Sequence, residues 1–351
     1  MNNHREHTEG PDRESPTYRR IVARRFKQDK LALSGLAVIV MMFLLSYFAP
    51  VIANNKPIVM RWQGRTYFPA AAELFPFKYF VKHRELQSID YDELRDDPSV
   101  SRLMPPVPYS PYETNLAEKL SPPSGRHWMG TDDIGRDVCS RWIYGSGVSR
   151  RVGFVAVGIA LVIGLLFGSL AGYYGGMMDM LISRFIEVMM CFPFFFLILA
   201  VVAFLPPSIF NIMIVIGITR WTSIARFSRG EFIKIKQQDY TQAARALGAS
   251  DRKIIFRHIL PNSIAPVLVT ATFGIANAIL IEAALSFLGM GVQPPQPSWG
   301  GILALAREFI AVAWWLTVFP GVGIFLAVTA YNLAGEGLRD ATDPRLALPE
   351  K

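Results

Sequence analysis

Residues 152–178 read VGFVAVGIALVIGLLFGSLAGYYGGMM and contain no Asp, Glu, Lys or Arg. Residues 188–219 and 309–335 are equally free of these four residue types. A helix needs about 20 consecutive apolar residues to cross a hydrocarbon core about 30 Å thick. Charged residues make up only 18% of the 351-residue chain, whereas soluble domains carry roughly 25%. The sequence therefore predicts a polytopic membrane protein, and it excludes soluble enzymes and disordered chains.

Six apolar blocks predict an all-α membrane fold with six transmembrane helices. The blocks span 31–53, about 150–174, 185–205, 208–227, 263–289 and 312–335. The polar tail before the first block, residues 1–30, ends in a basic stretch, since 19–30 hold six Lys or Arg and one acid. Basic residues flank the cytoplasmic ends of membrane helices. An even number of spans returns the chain to the same side, so we expect both this tail and residues 336–351 in the cytoplasm.

Residues 54–148 form a long polar insert between the first two predicted helices. The insert balances twelve Lys or Arg against twelve Asp or Glu. Its aromatic residues include Trp62, Tyr67, Phe68, Phe75, Phe77, Tyr79 and Phe80. Disordered chains are poor in aromatic residues, so we expect a folded extracytoplasmic cap whose aromatic cluster contacts a partner or forms a small core. A decoration without a direct role is the alternative. The prolines at 105, 106, 108 and 111 exclude a helix there.

The second predicted span carries small residues at every fourth position. The series begins with Ala156 and Ala160 and continues through Gly164, Gly168, Gly172 and Gly176. Such a stripe lies on one helix face and lets a neighbouring helix approach closely. We expect these glycines to pack against another membrane helix. The prolines at 193 and 320 fall within spans three and six, where we expect them to kink the helices.

Glu282 lies about 20 residues into the fifth predicted span, which puts it near the outer end. Ionisable residues inside the membrane are candidates for function because their burial is costly. A structural or gating role is the main hypothesis for Glu282, and direct contact with a substrate is the alternative.

The loop between spans four and five, residues 239–262, reads DYTQAARALGASDRKIIFRHILPN. Asp239 suits the N-cap of a helix over 239–247, and Gly248 suits its C-terminal stop. Asp251 suits the N-cap of a second helix, which we expect Pro261 to end. Residues 226–257 carry eight Lys or Arg, which favours the cytoplasmic side. The pattern predicts a compact helix-turn-helix knob beneath the membrane.

This loop resembles the EAA loop in permease subunits of ATP-binding-cassette importers, with the pattern E-A-A-x(3)-G-x(9)-I-x-L-P. The matching positions are Ala243, Ala244, Gly248, Leu260 and Pro261. Two positions depart from the pattern, since Gln242 replaces the glutamate and His258 replaces the isoleucine.

The resemblance extends beyond the loop. The sequence is most similar to the dipeptide and oligopeptide branch of these permeases. Four further stretches carry it: GTDDIGRDV at 130–138, GYYGG at 172–176, EAALSFLGMGVQPPQPSWG at 282–300 and GLRDATDPRL at 337–346. Residues 52–69, IANNKPIVMRWQGRTYFP, resemble the opening of the external insert in permeases of microcin C and oligopeptide uptake systems.

The resemblance implies a type I importer (MetI-like) fold, with a permease core at 149–335 that follows an extra first helix. It implies a pathway for peptides or peptide-like solutes between this chain and a second, homologous permease, in the bacterial inner membrane. Two cytoplasmic ATPase subunits, which use ATP and Mg, and an extracytoplasmic substrate-binding protein would complete the importer. The coupling loop, about 228–262, would transmit ATPase closure. Its site residues would include Asp239, Gln242, Arg245 and Leu247 beside the matching positions.

The sequence offers no ATPase or catalytic site of its own. None of its ten lysines follows a glycine, so the phosphate-binding pattern G-x-x-x-x-G-K-[ST] does not occur. We therefore expect no enzyme activity, cofactor or metal in this chain, and we interpret Cys139 and Cys191 as isolated thiols. A polytopic membrane enzyme or a channel without an ATPase remains the alternative function. Because the knob is held between two membrane spans, we expect no nucleic-acid partner for it. Membrane lipid is an expected partner.

Overall fold

The computed structural model describes residues 18–62, 64–74 and 100–343. The helices are α1 (Tyr18–Gln28), α2 (Lys30–Tyr47), α3 (Ala49–Ile52), α4 (Val138–Tyr174), α5 (Gly176–Cys191), α6 (Phe194–Phe204), α7 (Ile209–Lys236), α8 (Asp239–Ala246), α9 (Asp251–Phe287), α10 (Trp299–Phe309) and α11 (Trp315–Thr342). The strands are β1 (Val59–Trp62), β2 (Arg65–Tyr67) and β3 (Ser101–Leu103). The predicted aromatic residues Phe75, Phe77, Tyr79 and Phe80 lie outside the described residues.

Five helices, α2, α4, α7, α9 and α11, are long and apolar enough to cross a membrane, and α5 with α6 makes a sixth span if the pair counts as one. The helical membrane fold predicted from the sequence is confirmed. The third predicted span, 185–205, differs in shape, because α5 and α6 are bent by 81° at the break between them. Phe192 adopts an extended conformation at the break, as residues before a proline commonly do. Pro193 therefore divides this span.

Helix α4 is much longer than the span predicted at 150–174. It has 37 residues, about 55 Å at the rise of an α-helix, and so exceeds a hydrocarbon core of about 30 Å. The Asp137 carboxylate caps it by accepting a hydrogen bond from the Ser140 backbone N–H at 2.6 Å. The last part of the predicted insert, residues 138–148, is therefore the first part of α4.

The glycine stripe of α4 faces α7. A Cβ atom built at Gly168 would lie 2.5 Å from the Ala225 carbonyl oxygen. Cβ atoms built at Gly164 and Gly172 would lie 2.8 and 2.7 Å from backbone oxygens of α7. Any larger side chain would collide with backbone atoms, so these glycines set the distance between the two helices. Gly176 does not belong to the stripe. It lies after the end of α4 with φ +54 and has no neighbour within 4 Å of its Cβ position, because the helix stops at Tyr174.

The insert contains an antiparallel sheet with strand order β2-β1-β3, which adds a small β element to the predicted all-α fold. Met60 and Tyr67 are buried in it, and Trp62 and Val100 pack against them. Within the described part of the insert, two of the predicted aromatic residues thus belong to a small core. The proline segment at 105–111 contains no helix.

A buried polar cluster joins the insert to the start of α4. His127 is 4% exposed. Its Nδ1 lies 2.8 Å from Asp137 Oδ2, and its Nε2 lies 3.1 Å from Glu118 Oε2. Hydrogen bonding to His127 lowers the pKa of Glu118 below its ordinary value. Burial raises the pKa of Asp137. The imidazole therefore connects the segment around Glu118 to the cap of α4.

The lowered pKa of Glu118 predicts how its contact with His127 responds to pH. A carboxylate whose pKa is lower in the folded state contributes stability above its unfolded pKa and loses that contribution as pH falls. We expect Glu118→Gln to lower the Tm of the purified protein by about 1–3 °C at neutral pH. The difference from the unmodified protein should shrink as the pH falls below about 4 and disappear once the pH is below the lowered pKa of Glu118. The matched control is Glu308→Gln, which removes an exposed carboxylate from α10. A Tm difference that stayed constant with pH would contradict the assignment.

Candidate functional site

The knob, residues 239–262, follows α7 and comprises α8 and the first residues of α9. Its first helix, α8, begins at Asp239 with Gln238 as the N-cap residue, so the prediction that Asp239 is the cap is wrong. Asp239 instead occupies the first turn, where its negative charge suits the helix dipole. Asp251 is likewise the first residue of α9, which follows Ser250. Both carboxylates lie one position further into their helices than the sequence suggested.

The turn between the helices depends on Gly248, whose φ is +79. The backbone N–H of Gly248 donates to the Arg245 carbonyl at 3.0 Å, and that of Ala249 donates to the Ala244 carbonyl at 3.1 Å. Residues with a side chain rarely adopt this left-handed conformation, and glycine adopts it readily. The chain therefore reverses sharply at Gly248 and leads into α9.

The expectation that Pro261 ends the second helix is wrong. Helix α9 runs through Pro261 to Phe287 without a break. Residues 254–259 form a π-helical stretch, and the Leu260 N–H donates to the Ile255 carbonyl, five residues earlier. Pro261 then falls in the first turn of the next α-helical stretch, where a missing N–H is tolerated. The change in register lets one continuous helix lead from the knob into the bundle.

An apolar cluster holds the knob against the ends of α4 and α7. Its buried members are Tyr173, Phe232, Ile235, Ile254 and Ile259. They come from α4, α7 and α9, so the cluster joins the α9 part of the knob to α4 and α7. Side chains of this kind contribute about 1.5–3 kcal/mol each when fully buried. The base of the knob is therefore a small core of its own.

Tyr173 also anchors the knob through polar contacts. Its hydroxyl donates to Asp251 Oδ1 at 2.5 Å and accepts from Arg245 Nη2 at 3.3 Å. Its backbone carbonyl accepts from Lys236 Nζ at 2.6 Å. Gln242 adds a fourth link, since its Nε2 donates to the Lys236 carbonyl at 2.8 Å. Arg245 and Gln242 thus attach α8 to its surroundings.

The opposite face of α8 presents apolar side chains to solvent. Tyr240, Ala243 and Leu247 are exposed and lie three to four positions apart, so they share one helix face. Leu247 is 89% exposed and Phe256, on α9, is 63% exposed. Thr241 is buried on the other side, and Ala244 is half-buried. We call Tyr240, Ala243, Leu247 and Phe256 the apolar tip. Exposed apolar patches of this kind mark interaction sites.

The Tyr173 anchor makes a measurable prediction. A hydrogen bond to a charged group is worth about 1.5–3 kcal/mol, and Tyr173→Phe removes the bond to Asp251. We expect trypsin to cleave the knob at Arg245, Arg252 or Lys253 about tenfold faster in this variant, because local opening becomes easier. Tyr174→Phe is the matched control, since Tyr174 is the exposed neighbour of Tyr173. Equal cleavage rates in the two variants would show that the hydroxyl does not hold the knob.

Glu282 lies at the other end of α9 and is fully buried. Its Oε1 accepts a hydrogen bond from the Ser286 hydroxyl at 2.7 Å, and that hydroxyl oxygen accepts the Val292 N–H at 3.0 Å. A Cβ atom at Gly300 would lie 2.5 Å from the Ala283 carbonyl oxygen, so α10 packs closely over this region. In this structure Glu282 therefore fixes the turn after α9 and has no exposed surface.

An ion pair that the sequence analysis did not identify joins α5 to α7. Arg229 Nε and Nη2 donate to the two carboxylate oxygens of Asp179 at 2.5 and 2.6 Å. Asp179 directly follows the uncharged block 152–178 and lies in the first turn of α5. An acid at the edge of an uncharged block indicates an ion pair, but its partner Arg229 is 50 residues away and could not be identified from the sequence. The pair is bidentate, the arrangement in which arginine binds carboxylates most firmly.

Comparison with known proteins finds two matching families. Residues 164–348 match the family described as binding-protein-dependent transport system inner membrane component. Residues 17–71 match the N-terminal TM domain of oligopeptide transport permease C. The dipeptide transport system permease protein DppC of Alkalihalophilus pseudofirmus is 47% identical over 234 residues, which cover 67% of this chain and 77% of that protein.

Two further proteins are similar. The probable D,D-dipeptide transport system permease protein DdpC of Escherichia coli is 42% identical over 237 residues, which cover 68% of this chain and 80% of that protein. A solved inward-facing structure of the MetNI methionine ABC transporter is 18% identical with a TM-score of 0.46, and it covers 58% of this chain and 97% of the matched chain.

The family match covers more than half of this chain. The DppC relative is 47% identical, and this chain covers 77% of its length. The resemblance to the dipeptide and oligopeptide branch is confirmed, and the alternatives of a membrane enzyme or an uncoupled channel are not favoured. The chain is a multi-pass inner-membrane permease, and it belongs to the family of inner-membrane components of binding-protein-dependent transport systems.

Proposed function

We propose that this permease forms, with a second and homologous permease, the pathway of an ATP-driven importer for peptides or peptide-like solutes. The observation that carries the proposal is the knob, which packs against α4 and α7 and exposes Leu247, at the end of α8, and Phe256, on α9, to solvent. Grouped apolar side chains on a protein surface mark interaction sites, so a partner that covers the tip accounts for this exposure. The partner proposed is a cytoplasmic ATPase subunit.

The anchoring supports a mechanical role for the knob. A force on the apolar tip is transmitted through Tyr173 to α4, through Phe232 to α7 and directly along α9. Helix α9 has 37 residues, about 55 Å at helical rise, and its far end carries Glu282. Movement of the tip would therefore shift the turn that Glu282 holds at the opposite end of the bundle. We propose on this basis a structural or gating role for Glu282, in preference to direct contact with a substrate.

The remaining components follow from the same proposal. Two ATPase subunits would hold ATP and Mg, and this chain would be non-catalytic and bind no cofactor, because its sequence lacks the phosphate-binding loop. A substrate-binding protein would dock on the insert side, where the sheet β2-β1-β3 and the Glu118–His127 contact lie. The names of the two curated relatives, both dipeptide permeases, support a peptide-like substrate.

We further propose that both tails and the knob are cytoplasmic. Helix α1 lies at the same end of the bundle as the start of α9, since Val22 and Ala265 line one crevice. It carries five Lys or Arg and no acid, and the knob region 226–257 carries eight Lys or Arg. Two basic segments at one end indicate the cytoplasmic side.

Affinity purification of the tagged, full-length chain from its native membrane in mild detergent tests this proposal. We expect a second permease and two ATPase subunits to copurify in fixed ratio. The control is the tagged chain with Leu247→Asp, which should retain the second permease and lose the ATPases. Recovery of the unmodified chain alone, or without any ATPase, would contradict the proposal.

A further inference from the structure

A crevice of about 660 Å³ opens between α1, α2, α9 and α11. Its walls are almost entirely apolar, and the side chains of Leu33, Leu36, Phe154 and Leu268 that line it are exposed. Ligand sites in proteins have volumes of about 300–1,000 Å³. The crevice therefore has the size and the lining of a site for an apolar ligand.

The length of the crevice corresponds to one leaflet of a bilayer. On α9 it extends from Ala265 to Ile275, ten residues or about 15 Å at helical rise. On α11 it extends from Tyr331 to Thr342, about 16 Å. The hydrocarbon core of a bilayer is about 30 Å thick, so the crevice spans about half of it. It occupies the half on the side of the knob, because α9 enters the bundle there.

The α1 end of the crevice carries two exposed basic residues. Lys27 lines the crevice and is exposed, and Arg24 lies three positions away on the same face of α1. The one acid in residues 19–30, Asp29, is occupied as the cap of α2, where its Oδ1 accepts the backbone N–H groups of Leu31 and Ala32. Basic pockets between membrane helices on the cytoplasmic side bind anionic lipid headgroups.

We propose that this crevice binds an anionic phospholipid of the leaflet on the knob side. One acyl chain lies between α2, α9 and α11, along Leu36, Leu268 and Tyr331. The phosphate lies at the mouth and pairs with Lys27 and Arg24. The lipid fills the contact between α1–α2 and the core helices, and this is why exposed leucines line an otherwise closed helix interface.

Native mass spectrometry of the intact transporter, purified in mild detergent, tests the site. The probes are phosphatidylglycerol and phosphatidylethanolamine with identical acyl chains. We expect the transporter to retain phosphatidylglycerol preferentially. Lys27→Gln should weaken this binding about fivefold, as expected for one basic residue at a membrane surface. Ala265→Phe, which fills the crevice, should abolish binding of both lipids there.

Arg184→Gln is the matched charge control. Arg184 is an exposed basic residue on α5, a helix that packs mainly against α4 and α7. Equal retention of the two lipids, or equal phosphatidylglycerol binding in Lys27→Gln and Arg184→Gln, would overturn the proposal. Cross-linking from Leu268→Cys to the second permease would also overturn it, since a protein helix would then cover the crevice. Lys27 is exposed, so its variant remains informative if Ala265→Phe fails to fold.

Discussion

Uptake of substrate is expected to fall at least tenfold when Gly248 is replaced by proline. Gly248 has φ +79, and the proline ring fixes φ near −65°. The turn between α8 and α9 cannot form with that residue, so the apolar tip would be displaced while the membrane helices remain intact. ATP-driven uptake into proteoliposomes measures the effect.

Leu247→Asp tests the same surface without altering the backbone. Leu247 is 89% exposed, so the substitution should leave folding unchanged. A buried apolar anchor at an interface is worth about 2 kcal/mol or more, which predicts ATPase binding roughly 30-fold weaker. Leu116→Asp is the matched control, because Leu116 is 73% exposed in the insert. Normal uptake and normal ATPase binding with Leu247→Asp would contradict a docking role for the tip.

The second large effect is expected at the contact between α4 and α7. Gly168→Leu would place a side chain where a Cβ alone lies 2.5 Å from the Ala225 carbonyl oxygen. Backbone atoms cannot yield as a flexible side chain does, so the helices must separate. We expect destabilisation of about 3 kcal/mol or more and little folded protein in the membrane.

Gly158→Leu is the control for that substitution. Gly158 is in the same helix, and its Cβ position has no neighbour within 4 Å. It should fold with a Tm close to that of the unmodified protein. Fluorescence-detected size-exclusion chromatography and thermal melting compare the two variants. Equal yields and equal Tm values would show that the close approach of α4 and α7 is not required.

Features that depend on local chemistry could be predicted from the sequence. The uncharged blocks identify the membrane helices, because spanning requires length and apolarity and little else. The stop at Gly248 follows from its conformational freedom. Three of the four stripe glycines, Gly164, Gly168 and Gly172, face α7 because their spacing follows the helix period.

Features that depend on register or on distant partners could not be predicted. Taken alone, Pro261 predicts the end of a helix, but the π-helical stretch before it moves the missing N–H into a first turn, where it is tolerated. Gly176 has the right spacing, but the helix ends before it. The Tyr173–Asp251 hydrogen bond joins residues 78 positions apart, so no local pattern reveals it. The same applies to the Asp179–Arg229 pair.

Cysteine cross-linking from the apolar tip tests the central claim most directly. Cys191 is exposed and Cys139 is buried. Cys191→Ser therefore removes the exposed native thiol, so that Leu247→Cys is the cysteine that the reagent reaches. In native membranes we expect a short bifunctional reagent to join this cysteine to an ATPase subunit. A control cysteine replacing Leu288, which is exposed beyond the far end of α9, should give no such product. An ATPase product from the control position, or none from Leu247→Cys in an assembled transporter, would contradict the account.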